Sequence, residues 1–176
     1  MDNEITIIVV VEYDHSGIKP VTYELLNAAR KLADKGKIIA LYFTDVENVD
    51  ESPLTHYGAD EIRICIHPDY HQYTHETYAA GLQSEIEKIQ PDIVLMPASN
   101  SGKELSAAVA TRLGVVVASD CIEVQRSEEG KVTIKRPVFA GKAYSLCKLS
   151  GPKPYLITLR PNCFRGEGTD ESRPGE

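Results

Sequence analysis

An α/β domain, with a mostly parallel sheet and helices on both faces, is the fold class this sequence predicts. Three observations carry it. Short, nearly unbroken apolar runs at 5–11, 38–43 and 93–96 have the composition of strands buried on both faces. Segments with apolar residues at helical spacing lie between and after these runs. The resulting order over the first two thirds, β-α-β-α-β-α-β-α, is that of a doubly wound or related parallel sheet. A length of 176 residues fits about one domain and suffices to bury a core.

Residues 5–11 form the first strand, and Asp14-His15-Ser16-Gly17 a turn. Pro20 suits a first helical position and opens a helix to about residue 35. Leu25, Leu26, Ala29, Leu32 and Ala33 share its apolar face, and Gly36 is placed as its stop. Residues 38–43 form the second strand, followed by a loop at 45–50. A short helix is expected at 53–57, stopping at Gly58. In the third strand, 61–66, Ile62, Ile64 and Ile66 alternate with other residues. A second long helix spans 74–90, where Pro91 blocks it. The fourth strand is 93–96, and a third long helix runs 102–113 to Gly114.

The last third changes character. Residues 121–124 and 132–135 read as an antiparallel hairpin near the C-terminus, joined by Ser127-Glu128-Glu129-Gly130. Residues 143–149 fit either a strand or a helical turn, and 155–159 is the final strand. The stretch 165–176 is polar and Gly-rich and reads as a linker or tail. A single α/β domain over 1–164 remains.

The formal net charge is -7, with Lys and Arg scattered rather than gathered in a stripe. That argues against nucleic acid, whose phosphates call for a basic face, and against an anionic membrane surface. No apolar stretch approaches the ~20 residues of a membrane helix, so no membrane insertion is expected. The acidic start runs directly into a strand, unlike a signal peptide. Cys65, Cys121, Cys147 and Cys163 are far apart and form no CxxC pair. They read as reduced thiols of a cytoplasmic protein, mostly buried in strands, with Cys163 the most exposed.

The most informative local feature is the turn Pro97-Ala98-Ser99-Asn100-Ser101-Gly102. In an open parallel sheet, ligands sit beyond the carboxyl ends of the strands, where this turn lies. Ser99, Asn100, Ser101, Gly102 and Lys103 put small side chains and free N–H groups at a helix N-terminus, a setting for phosphate. Ser101 and Glu104 match a capping box, which explains the same residues without a ligand. A Walker loop fails, because Pro97 stands where a Gly is needed and Glu104 follows Lys103.

Other groupings are weaker. His67, His71 and His75 fall four apart, but Pro68 and Asp69 make the stretch a helix entrance, and no metal site is read from it. Asp14, Asp45 and Asp120 lie near strand ends, where turn and capping roles explain each. Nothing selects a catalytic triad. The segment Arg136-Pro137-Val138-Phe139-Ala140-Gly141 fits either a loop packing Val138 and Phe139 into the core or a subunit contact anchored by Phe139 and Arg136.

Four segments in order then resemble a known family. They are Pro91-Asp92-Ile93-Val94-Leu95-Met96-Pro97-Ala98-Ser99 with the following 102–114, Ala118-Ser119-Asp120-Cys121-Ile122-Glu123, 134–143, and Thr158-Leu159-Arg160-Pro161-Asn162-Cys163-Phe164. Together they resemble the N-terminal domain of the electron transfer flavoprotein alpha subunit. The resemblance implies an adenine-nucleotide-hydrolase-like sheet that packs against a beta subunit. It also implies a heterodimer that accepts electrons from flavin dehydrogenases and is a carrier rather than an enzyme. The family's FAD is held by a C-terminal domain that these 176 residues do not include, so the chain is expected to be either a fragment of a longer subunit or a shortened homologue. FAD is therefore expected in the complete heterodimer and not on this chain alone, and no FAD residue carries over. Arg136, Phe139 and Gly141 are the expected interface. The alternative is a stand-alone adenine-nucleotide-binding domain gripping AMP or ATP at the 99–103 turn. That reading requires an adenine-sized gap beside Val11-Glu12 and Phe43-Thr44.

Overall fold

The computed structural model describes residues 4–164; the tail expected at 165–176 lies outside the described residues. The central sheet has six strands: β1 (Thr6–Val10), β4 (Lys37–Thr44), β5 (Glu61–Ile66), β6 (Ile93–Pro97), β7 (Val117–Cys121) and β11 (Tyr155–Leu159). Their order is β5-β4-β1-β6-β11-β7, and every pairing is parallel. The continuous apolar runs follow from this arrangement. On β1, Ile7 and Val9 face one layer while Ile8 and Val10 face the other. Ile7, Ile8 and Val9 retain no exposed surface at all.

Helix α1 (Pro20–Ala33) and the short α2 (Ser52–His56) cover the Ile7 face. Helices α3 (His75–Ile89) and α4 (Asn100–Leu113) cover the Ile8 face, with Leu82, Ile86, Leu105 and Val109 buried against Phe43, Val94 and Met96. Pro20 opens α1 as expected. Gly36 is not its cap, however. Asp34 takes the positive-φ position (φ 54), and its N–H donates to the Arg30 carbonyl. Gly36 is needed for closeness instead: a Cβ there would lie 2.3 Å from the Ile5 carbonyl oxygen. Thr74 caps α3 by accepting from the Thr77 N–H. The expected turn at 14–17 is a two-stranded hairpin, β2 (Tyr13–Asp14) and β3 (Gly17–Ile18).

The stretch read as one strand at 121–124 is two. β7 belongs to the parallel sheet, and β8 (Glu123–Arg126) to a separate antiparallel sheet. The chain changes direction at Asp120, which holds φ 62 with its N–H on the Thr158 hydroxyl at 2.9 Å. β8 pairs with β9 (Val132–Val138), and β9 with β10 (Ala143–Lys148), so the ambiguous segment after 143 is a strand. Val132 and Ile134 turn inward and join the core on the α1 face. This three-stranded arm is larger than the hairpin its sequence suggests.

Candidate functional site

From β1 the chain steps outward to β4 and β5, then returns to the other side of β1 with β6. The strand order reverses between β1 and β6, and a crevice opens beyond their carboxyl ends, as in other doubly wound sheets. A cavity of about 500 Å³ lies there, lined among others by Val10, Glu12, Tyr13, Tyr78, Met96 and Ser101. Its walls reach Val11-Glu12, but also Asp45 and Val46 rather than Phe43 and Thr44. Those two are fully buried beneath it.

Glu12 lies two residues beyond β1, directly after the buried Val11. Thr22, buried at the start of α1, locks its backbone: the Glu12 N–H donates to the Thr22 hydroxyl (3.0 Å), which donates back to the Glu12 carbonyl (3.1 Å). Its Oε1 accepts from Lys19 Nζ at 3.2 Å and from the Ser101 hydroxyl at 3.4 Å. Its Oε2 is buried and accepts no hydrogen bond from the described residues.

The 97–102 turn caps α4 differently from the expected box. Ser99, not Ser101, is the cap residue, and its Oγ accepts from the Gly102 N–H at 3.1 Å. The helix therefore starts at Asn100, two residues before the sequence-based estimate. Ser101 Oγ sits 3.2 Å from Ser99 Oγ and donates to Glu12, while its carbonyl accepts from the Tyr73 hydroxyl. Glu104 points elsewhere, 3.5 Å from His75 Nδ1. Gly102 permits the tight turn, because a Cβ would lie 2.0 Å from the Pro97 carbonyl oxygen. Asn100 and Lys103 are exposed. Burial pushes the Tyr73 hydroxyl up to about 12 and raises that of Tyr78, so both stay protonated donors.

The remaining polar groups each have their own neighbour. Asp14 accepts from Ser16, Asp45 pairs with His71 at 2.8 Å, and Arg160 grips Asp120 with two bonds of 3.0 and 2.6 Å. That guanidinium holds the Asp120 carboxyl below the usual range, and Lys103 and Arg136 add their fields to the same edge. The His67 ring accepts from the Asp69 N–H, and His75 lies near Glu76 and Glu104. Among the described residues no group of three or more His, Cys, Asp or Glu could hold a metal ion. Of the cysteines only Cys121 is fully buried; Cys65 and Cys147 are half-buried and Cys163 is exposed. Desolvation pushes the Cys121 thiol up to about 12.

On the arm, Phe139 is 80% exposed, so it is not a core residue. Phe139, Ala140 and Gly141 form a run of left-handed backbone, φ 52, 54 and 84, that turns the Phe139 ring outward at the corner between β9 and β10. Tyr144 and Leu146, two residues apart on β10, share one face and are 60% and 72% exposed. Lys135 lies over the Tyr144 ring at 5.0 Å. Arg136 is half-buried on β9, and Gly141 is exposed. Sequence reasoning placed Glu12 beside the gap but missed the role of its carboxylate, and it missed Tyr144 and Leu146. A carboxylate directly after an apolar strand, and two large apolar residues alternating through a segment with little else to bury, were the available signals.

Fold and edge together define a doubly wound α/β domain of the ligand-crevice type, extended by an antiparallel arm with an uncovered apolar face. The model of the electron transfer flavoprotein domain matches residues 7–176, and the chain belongs to that family. It is similar to the electron transfer flavoprotein subunit alpha of Bacillus subtilis, with 31% identity over 96% of this chain and 51% of the relative. A FixB protein of Azotobacter vinelandii is 32% identical over 96% of the chain and 48% of its own length. The lactate dehydrogenase (NAD(+),ferredoxin) subunit LctC of Acetobacterium woodii is 32% identical over 90% and 38%. The chain thus spans about half the length of most curated relatives it matches. Among the described residues no helix is long and apolar enough to cross a membrane.

Proposed function

We propose that this chain is the N-terminal domain of an electron transfer flavoprotein alpha subunit, a single α/β domain over 1–164 followed by a polar linker. It docks a beta subunit and helps hold the FAD domain of the complete heterodimer. That complex takes electrons from flavin dehydrogenases. The chain itself contributes contacts and not a catalytic group. The observation that carries this reading is the arm: β10, an edge strand of the three-stranded sheet, lies beside or carries three large exposed apolar side chains, Phe139, Tyr144 and Leu146. Isolated domains keep such edges short, charged or covered, because an open ladder pairs with other chains. Arg136 and Gly141 flank the patch, one as a polar anchor and the other as the turn that exposes the ring.

The test is size-exclusion chromatography of the chain mixed with an electron transfer flavoprotein beta subunit. Co-elution at low salt is expected, and its loss in Phe139→Asp and Leu146→Lys. Separate elution of the unaltered chain, or undiminished co-elution of both variants, would overturn the reading.

A further inference from the structure

The cavity at the β1–β6 crevice has a charge pattern opposite to that of a phosphate site. Three carboxylates line it, Glu12, Asp14 and Asp45, against Lys19, with His15 and His71 beside them. Glu12 decides the character of its inner end. By accepting from Ser101 in the first turn of α4, it places a negative charge where a helix N-terminus would otherwise draw a phosphate. Its side chain is only 14% exposed, so water screens it poorly; Lys19 Nζ at 3.2 Å offsets part of its charge, but a phosphate brought to the same turn meets a carboxylate that already holds the Ser101 hydroxyl.

The same group lacks something a ligand could supply. Oε2 is buried with no hydrogen-bond partner among the described residues. A buried acceptor left unpaired is costly, and a donor on a ligand recovers that cost. The other walls offer flat aromatic and apolar surface: the rings of Tyr13, Tyr73 and Tyr78, with Val10, Met96 and Leu105. The Tyr73 and Tyr78 hydroxyls already donate to the Ser101 and Tyr70 carbonyls, so their rings, not their oxygens, face a ligand's needs. The volume suits a ligand of one or two rings plus a small polar group.

We propose that this cavity binds a small phosphate-free aromatic amine of nucleoside size, held between the tyrosine rings with its N–H donating to the Glu12 carboxylate, and that it rejects nucleotides. The inference is independent of subunit docking, which uses the arm.

Isothermal titration of the 176-residue chain with adenosine, adenine, AMP and ATP tests it. Adenosine or adenine is expected to bind with a Kd of about 0.5 mM or below, and AMP and ATP at least tenfold more weakly. Glu12→Gln should weaken the amine about tenfold and narrow the gap between adenosine and AMP. Val46→Trp, at a half-exposed position on the wall, should block the amine without touching the core. Circular dichroism confirms that each variant is folded. AMP binding as tightly as adenosine, Glu12→Gln and Val46→Trp both leaving the amine's affinity unchanged, or no binding of either amine below about 5 mM would each overturn the proposal.

Discussion

Gly102→Ala sets two physical rules against each other. Gly102 is the third residue of α4, and in a helix Ala is favoured over Gly by about 1 kcal/mol. On propensity alone the substitution stabilises. The local geometry predicts the opposite sign. The new Cβ would lie 2.0 Å from the Pro97 carbonyl oxygen and 3.1 Å from its carbon, a backbone obstacle with no rotamer to move aside. Relief requires α4 to shift by about 1 Å, at an overpacking cost of roughly 1–3 kcal/mol. The same shift strains the Ser99 cap, whose loss costs about 1 kcal/mol more. The net expectation is destabilisation by about 1–3 kcal/mol, or a Tm lower by roughly 3–10 °C for a chain of this size. Thermal and urea melts followed by circular dichroism measure it. Ala107→Gly, exposed on the same helix, reports propensity alone. A Gly102→Ala variant as stable as the parent, or more so, would refute the close-approach reasoning.

The Asp120–Arg160 pair should be visible in acid. The folded Asp120 carboxyl lies below its ordinary value, so its contribution is full above about pH 5 and fades as pH falls through the lower folded value. Arg160→Gln should therefore cost up to ~1 kcal/mol at pH 7 and progressively less below about pH 4; an equal loss at both ends of a pH series of urea melts would show the pair is not responsible. Phe139→Asp should leave stability within about 0.5 kcal/mol, since the ring is exposed and Asp tolerates φ 52 better than Phe. A large drop in Tm would mean the ring packs against the domain after all. Leu82→Ala, fully buried between α3 and the sheet, should cost about 2–5 kcal/mol, and a loss under 1 kcal/mol in the same melts would contradict its place in the core. Iodoacetamide at pH 8 should modify Cys163 first and Cys121 only on unfolding, as read by mass spectrometry; equal rates would contradict the burial of Cys121.

The parallel sheet was legible because its signals are local. Ile7, Ile8 and Val9 announce a two-sided burial that few other structures offer, and Pro20 and Gly114 mark helix ends by their own backbone preferences. What was hidden depends on partners distant in sequence. Ser99 outranks Ser101 as the cap because Tyr73 and Glu12 claim Ser101, from 28 and 89 residues away. The break between β7 and β8 rests on Arg160 and Thr158, some 40 residues beyond Asp120. The arm's third strand was ambiguous because most of β10 is exposed, leaving little of the burial pattern from which strands are read. At the candidate site the turn was found, yet the role of the carboxylate that determines what the turn can accept was not, since nothing in a linear reading joins Glu12 to Ser101.

The arm also solves a problem of routing. β7 and β11 are adjacent and parallel, so the chain must travel from the carboxyl end of one to the amino end of the other. Elsewhere in such sheets a helix makes that return; here residues 122–154 make it as β-structure, with Val132 and Ile134 filling the layer a helix would fill. The journey covers about 16 Å, the length of a five-residue strand. Loops of the arm can thus grow or shrink at its tips without disturbing the sheet, but deleting the arm would leave two neighbouring strands that no short tether can join. The surface offered to a partner is built from the same segment that closes the domain's own topology, so losing one forfeits the other.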